Sequence, residues 1–124
     1  MNHAYDLEER LLCFAADIIT FTESMPSSRA GNHVAAQLLR SGTSAYPNHG
    51  ESQAAESPRD FIHKLRVCLK ELRETYRWLR LADRSHLHNE PETASRLAGE
   101  ADELIRIFVC SIRTVQKNKL SGNL

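Results

Sequence analysis

From Phe61 to Leu79 apolar side chains return at steps of four and three: Phe61, Leu65, Cys68, Leu72, Tyr76 and Leu79. At about 100° per residue these positions share one stripe of an α-helix, and a stripe of that length needs other surfaces to cover it. Its start is marked. Ser57 can cap the free backbone N–H groups, Pro58 falls in the first turn where its missing donor costs nothing, and Asp60 stands three residues after the cap. The pattern predicts a helix over 58–83, and the rest of the chain reads as helices that pack against it.

The first of these spans 6–25, with Asp6 as cap, Glu9 completing a box-like pair, and Pro26 as the stop. Leu7, Leu11, Phe14, Ile18, Phe21 and Met25 form its core face. Tyr5, Leu12, Ala16 and Ile19 form a second apolar patch on nearly the opposite side, which fits either a helix wedged between two others or a contact between subunits. A second helix spans 28–56 from a Ser27 or Ser28 cap and is rich in small residues, Ala30, Gly31, Ala35, Ala36, Gly42 and Ala45, that let helix axes approach closely. Pro47 lacks a helical N–H and crowds the carbonyl of Thr43, so a kink or break is expected near 47, with Gly50 loosening the chain beyond it. After a loop at 83–89, a last helix over 90–117 turns Leu97, Ala101, Leu104, Phe108, Ile112 and Val115 inward and gives way to a polar tail, NKLSGNL, expected to fray. Four helices with short connections predict one all-α domain over 1–124, an up-and-down antiparallel four-helix bundle.

Charge is balanced in total, 16 Lys and Arg against 16 Asp and Glu, so any affinity for a polyanion must come from its distribution. Residues 1–25 carry Arg10 against Asp6, Glu8, Glu9, Asp17 and Glu23, whereas residues 58–88 carry eight cations against Asp60, Glu71, Glu74 and Asp83. Three widely spaced cysteines, Cys13, Cys68 and Cys110, form neither a metal knuckle nor a fully paired disulfide set, and free thiols are expected. Cys68 reads as core filler, the other two as edges of apolar faces. No apolar run approaches the roughly 20 residues of a membrane span. The opening MNHAYDLEER is acidic where a secretory signal is basic and then apolar, so a cytoplasmic location without a membrane partner is expected.

Two stripes carry the candidate chemistry. On the second helix Gln37, Arg40, Ser41, Ser44, Asn48 and Glu51 share a polar face. It reads either as the lining of a pocket, with Arg40 and Glu51 as its charged ends, or as a structural hydrogen-bond network that fixes helix register. No paired base stands by to activate a nucleophile, so no enzyme is expected, nor any small-molecule substrate or cofactor. On the third helix Arg59, Arg66, Lys70, Arg73, Arg77, Arg80 and Arg84 fall within an arc of roughly 80°. That row has the spacing to follow the phosphate backbone of RNA or DNA, and Tyr76 and Trp78 nearby can stack on bases, although Tyr76 belongs to the core seam. The same row can instead be a solvated face, or pair with the acidic first helix of a neighbouring subunit. No metal is expected: His86 and His88 lack a carboxylate or thiol at ligand spacing, and Asp60-x-x-His63 stands alone where a di-iron bundle needs two such motifs. His3, His33 and His49 are isolated and read as structural or exposed.

Together DLEERLLCFA at 6–15, QLLRSGTS at 37–44, Asn48 with Glu51, Ser57, DFIHKL at 60–65 and LKELRETYRWLRL at 69–81 resemble a family of bacterial four-helix bundle proteins, the 23S rRNA-intervening sequence proteins, first noticed as products of insertions in large-subunit ribosomal RNA genes. The resemblance spans nearly the whole chain. It implies a left-handed bundle that assembles into a homo-oligomeric ring, commonly a pentamer. A related branch serves diversity-generating retroelements as an accessory subunit that binds nucleic acid and reverse transcriptase, and for most members no activity is established. AYPNHGE at 45–51 departs from the pattern, since relatives carry small helix formers around the Asn and Glu. The combined reading is a non-enzymatic oligomeric bundle that contacts RNA or DNA through the third helix; the alternative is a protein-interaction scaffold whose basic row pairs with a neighbour's acidic helix.

Overall fold

The computed structural model describes residues 3–120, with side chains from Leu7 onward except that of Lys119. Five helices follow in order, α1 His3–Glu23, α2 Arg29–Gly42, α3 Ala45–Ser52, α4 Pro58–Arg84 and α5 Pro91–Leu120, and α2 with α3 makes one interrupted rod, so the fold is an all-α four-helix bundle. Because α1 has already begun at His3, Asp6 lies within the helix and is not its cap. The Tyr5 side chain and the tail at 121–124 lie outside the described residues, and α5 continues past 117 to Leu120.

Side-chain contacts fix the directions. Ser41 meets Thr75 while Ala45, further along the chain, meets Cys68, so α2–α3 and α4 are antiparallel. Likewise Arg10 meets Glu100 and Asp17 meets Arg96, so α1 and α5 are antiparallel. α1 packs against α2, α3 and α5, and α4 packs against the same three, which puts α1 and α4 on one diagonal. The predicted seams point inward: Leu11, Phe14, Ile18 and Phe21 of α1, Leu65, Cys68, Leu72 and Leu79 of α4, and Leu97, Ala101, Leu104, Phe108 and Ile112 of α5 are all buried. Phe61, Tyr76 and Val115 are only half-buried at the edges of that core.

The interruption of the second rod falls at Thr43–Ser44, one turn before Pro47. The reason is steric. A proline within a helix displaces the carbonyl four residues earlier, and here Pro47 occupies the first turn of α3, where a missing N–H leaves nothing unsatisfied. Two glycines let segments touch. A Cβ on Gly42 would lie 2.7 Å from Ile18 Cγ2, and one on Gly31 would lie 2.2 Å from the carbonyl oxygen of Pro26. The starts of α2 and α4 are capped by Ser28 and Ser57, whose hydroxyls accept from the N–H of Gly31 and of Asp60, each at 3.0 Å.

The α4–α5 loop is built differently from its polar sequence. His86 adopts φ 55°, the N–H of Leu87 reaches the Ala82 carbonyl and that of His86 the Asp83 carbonyl, so α4 ends in a Schellman motif with a non-glycine in the left-handed position. His88 is not loop surface. Its side chain is 5 % exposed, its Nε2 lies 2.9 Å from Asp83 Oδ1, its Nδ1 accepts from the Glu90 N–H, and its ring lies against Phe21. No helix among the described residues is long and apolar enough to cross a membrane.

Candidate nucleic-acid interface

Arg59, Arg66, Lys70, Arg73, Arg77, Arg80 and Arg84 are all exposed on α4. Their helical spacing places all but Arg59 along a shallow trough between α4 and α5. Its first half, about 630 Å³, is lined by Arg66, Lys70, Arg73, Arg77 and Arg113, with Glu74 and Gln116 beside them, over a floor of Leu69, Val109 and Ile112. The second half, about 580 Å³, shares Arg73 and Arg77 and adds Arg80 and Arg84 around Tyr76 and Ile105. From Arg66 to Arg84 the helix rises roughly 27 Å at 1.5 Å per residue. Over that length one strand of a duplex presents roughly eight phosphates.

None of these cations makes an ion pair among the described residues, Arg113 included. Of the α4 acids, Glu71 is turned to the α2 flank, while Glu74 lines the edge of the trough and is engaged from α2. Arg40 of α2 reaches both Glu71, at 3.2 Å, and Glu74, and its Nε and Nη2 also donate to Gln37 Oε1. Glu74 further accepts from Trp78 Nε1 at 3.0 Å. Asp83 faces His88. The trough is therefore predominantly basic, with Glu74 as the one carboxylate in its lining and that group already paired with Arg40.

The two aromatic candidates separate. Trp78 turns to the α2 side, edge-on to His33 with centroids 5.9 Å apart, and is not available to a strand lying in the trough. Tyr76 is at the trough and half-buried, with the Arg80 guanidinium carbon 5.9 Å from its ring centroid. Arg113 was not singled out by sequence. Its signal is the series Ile105, Val109, Arg113 at steps of four, one position beside the buried seam of α5 and so facing α4.

The polar face of the second helix does not form one unit. Gln37 and Arg40 belong to the surface cluster with Glu71 and Glu74. Ser41 is wholly buried with its hydroxyl 3.0 Å from Thr75 Oγ1, and Thr75 donates its proton to the Glu71 carbonyl at 2.8 Å. Past the break, Asn48 Nδ2 donates to the carbonyl and hydroxyl oxygens of Ser44. Glu51 is exposed and makes no side-chain hydrogen bond among the described residues. Cys68 is buried, its thiol pushed up to about 12 by desolvation, and it donates to the Ala45 carbonyl, so it is a packing residue. No three His, Cys, Asp or Glu side chains gather as a metal site among the described residues.

The acids of α1 lie diagonally across the bundle from the trough. Asp17 is held by Arg96 at 3.0 Å, whereas Glu8, Glu9 and Glu23 are exposed. Between them Leu12, Ala16 and Ile19 form an exposed apolar stripe, uncovered by any helix of the same chain.

Comparison with known proteins agrees with this architecture. No curated protein matches the chain. Among solved structures, a protein of unknown function from the S23 ribosomal protein family of Bacteroides thetaiotaomicron is similar, with TM-score 0.78 and 30% identity over 86% of this chain and 97% of that one. The family profile of the 23S rRNA-intervening sequence protein matches residues 6–109, most of the bundle, and the chain belongs to that family.

Proposed function

We propose that this protein is a non-enzymatic, oligomeric helical bundle that holds the phosphate backbone of RNA or DNA in the α4–α5 trough. One observation carries the reading: Arg66, Lys70, Arg73, Arg77, Arg80 and Arg84, joined by Arg113 from α5, converge on one groove with no carboxylate pairing them among the described residues. A row of unpaired like charges is self-repelling in the free protein, and a polyanion relieves it. Recognition is by backbone and shape, since the trough carries Tyr76 as its one aromatic and few neutral hydrogen-bonding groups to read base edges.

A second reading rests on the exposed Leu12, Ala16 and Ile19 stripe with Glu8, Glu9 and Glu23 around it. Acidic α1 and basic α4 are on a diagonal and cannot meet within a chain. A head-to-tail contact between copies would bring them together and close a ring, as the family likeness implies. The discriminating experiment is reversal of Arg66, Arg73 and Arg80 to Glu, with structured-RNA binding and light-scattering mass both measured. Loss of RNA binding with the assembly intact supports the nucleic-acid reading. Dissociation of the assembly supports the scaffold, and unchanged RNA affinity in the variant ends the first proposal.

A further inference from the structure

A second groove opens on the other side of α5, where the start of α1 and the end of α5 diverge over α3 and the first turns of α4. It measures about 1220 Å³ and is mainly apolar, walled by Leu7, Phe61, Leu65, Ile107 and Phe108. Its cations are already compensated, Arg10 by Glu100 at 2.6 Å and Arg106 by Asp102 at 3.0 Å, while Glu9 at the exposed rim has no ion pair among the described residues. An anion entering it finds no unmatched cation, and away from the Glu9 rim the apolar walls favour an uncharged occupant.

The wall also holds His49, 5 % exposed, whose Nδ1 has no hydrogen-bond partner among the described residues. The neighbouring bonds identify what that nitrogen needs. Ser52 Oγ donates its proton to the His49 carbonyl at 2.6 Å, so Ser52 Oγ can only accept, and the Gln53 group 3.1 Å from it is the amide N–H₂. The same Nε2 of Gln53 lies 3.4 Å from His49 Nε2, which therefore accepts and leaves the proton on Nδ1. Burial lowers the imidazole's affinity for a second proton, against a smaller opposing effect of Glu8, and keeps the ring neutral. The unmet group is thus a donor in an apolar wall, and a buried donor without a partner is uncommon in folded proteins. Phe108 stands edge-on to the ring at 6.1 Å and offers it no oxygen.

We infer that this groove is a binding site for an uncharged, largely apolar small molecule bearing one hydrogen-bond acceptor of the carbonyl type, which meets His49 Nδ1–H. Neighbouring side chains cover the nitrogen, so an occupant meets it only when the imidazole turns about its Cβ–Cγ bond and gives up the long contact with Gln53. The groove exceeds the roughly 300–1,000 Å³ of a typical small-molecule pocket, so it has room for such a ligand. The site is independent of the nucleic-acid trough, because Ile107, Cys110 and Ser111 face this groove while Val109, Ile112 and Arg113 face the other.

The probe is Nile red, an uncharged planar dye with a single carbonyl acceptor, titrated against the full chain by fluorescence. Saturable binding with a blue-shifted emission is expected, weakened roughly tenfold by His49→Phe, which keeps the bulk of the ring and removes the donor. Ser111→Trp, which fills the groove, abolishes it; Thr114→Phe serves if that variant does not fold by circular dichroism. The thiols report location. Cys13 and Cys110 line the groove and are exposed, whereas Cys68 is buried. Bound dye slows maleimide labelling of Cys13 and Cys110 and leaves Cys68 unlabelled throughout. Absence of saturable binding, full affinity in both His49→Phe and the filled variant, or labelling of Cys13 and Cys110 that dilution alone accelerates, which would mean that another copy covers the groove, each overturns the inference. None of these outcomes bears on RNA binding by the trough.

Discussion

Replacing glycine by alanine one position at a time offers a test in which packing and helix propensity oppose each other. In an open helix interior the change stabilises by about 0.8–1 kcal/mol, because alanine loses less backbone freedom on folding. Gly50 and Gly99 are such positions: a Cβ added at either meets nothing within 4 Å. Gly42 is not. There the new carbon would lie 2.7 Å from Ile18 Cγ2 and 3.0 Å from Cγ1, against the 3.5–4.0 Å at which carbon atoms attract. Ile18 is fully buried and cannot swing into solvent, so α1 and α2 must part by several tenths of an ångström. Overpacking of that kind costs about 1–3 kcal/mol. At Gly31 the obstacle is the Pro26 carbonyl, 2.2 Å away and part of the backbone, with the Ser28 hydroxyl at 2.9 Å, so the cap of α2 is disturbed as well. Its cost should exceed that at Gly42 by about 1 kcal/mol, the usual worth of a cap. Urea unfolding followed by circular dichroism at one protein concentration measures all four, provided the m-value is unchanged. The expected order of midpoints is Gly50→Ala and Gly99→Ala above the parent, then Gly42→Ala, then Gly31→Ala. A Gly42→Ala variant as stable as the parent, or a destabilised Gly50→Ala, would refute the helix packing described here.

Two further outcomes follow from single residues. His86→Gly removes a side chain from the left-handed conformation at the end of α4, and after the greater freedom of glycine in the unfolded chain is subtracted it should raise stability by roughly 0.5 kcal/mol, read as a higher urea midpoint. His49 has its proton affinity lowered in the folded state, so the unfolded chain binds more protons just below pH 6.5. Its contribution is complete above that pH and is lost as the pH falls through the lower folded value. Urea midpoints of the parent should therefore decline more steeply below pH 6.5 than those of His49→Phe, and parallel curves would contradict the assignment.

Much of the bundle is legible in the sequence because the signals are local. Ser57, Pro58 and Asp60 mark the start of α4, and the repeating apolar steps identify the faces that become buried. What is missed depends on contacts between distant segments. Pro47 is still a local signal, since the carbonyl its ring crowds is that of Thr43, where the rod is interrupted. The apparent polar stripe from Gln37 to Glu51 is split because the break at Thr43–Ser44 changes the helical phase, and because Arg40 finds Glu71 and Glu74 on another helix. That pairing also explains why the α4 arginines of the trough are left without ion pairs among the described residues, a fact that counting charges along α4 conceals. Trp78 and Tyr76 are two residues apart in sequence, yet 200° of helical rotation sends them to opposite flanks. His88 looks like loop surface until Phe21 is seen beside it.

The central claim is that the α4–α5 trough neutralises phosphates, and the salt dependence of RNA affinity tests it most directly. If four to six cations engage, log affinity should fall against log salt with a slope of about −3 to −5. Arg113→Gln, altering the one trough cation contributed by α5, should reduce that slope by about one. Affinity that is flat in salt, or a slope that Arg113→Gln and the Arg66, Arg73 and Arg80 reversals leave untouched, would contradict the account.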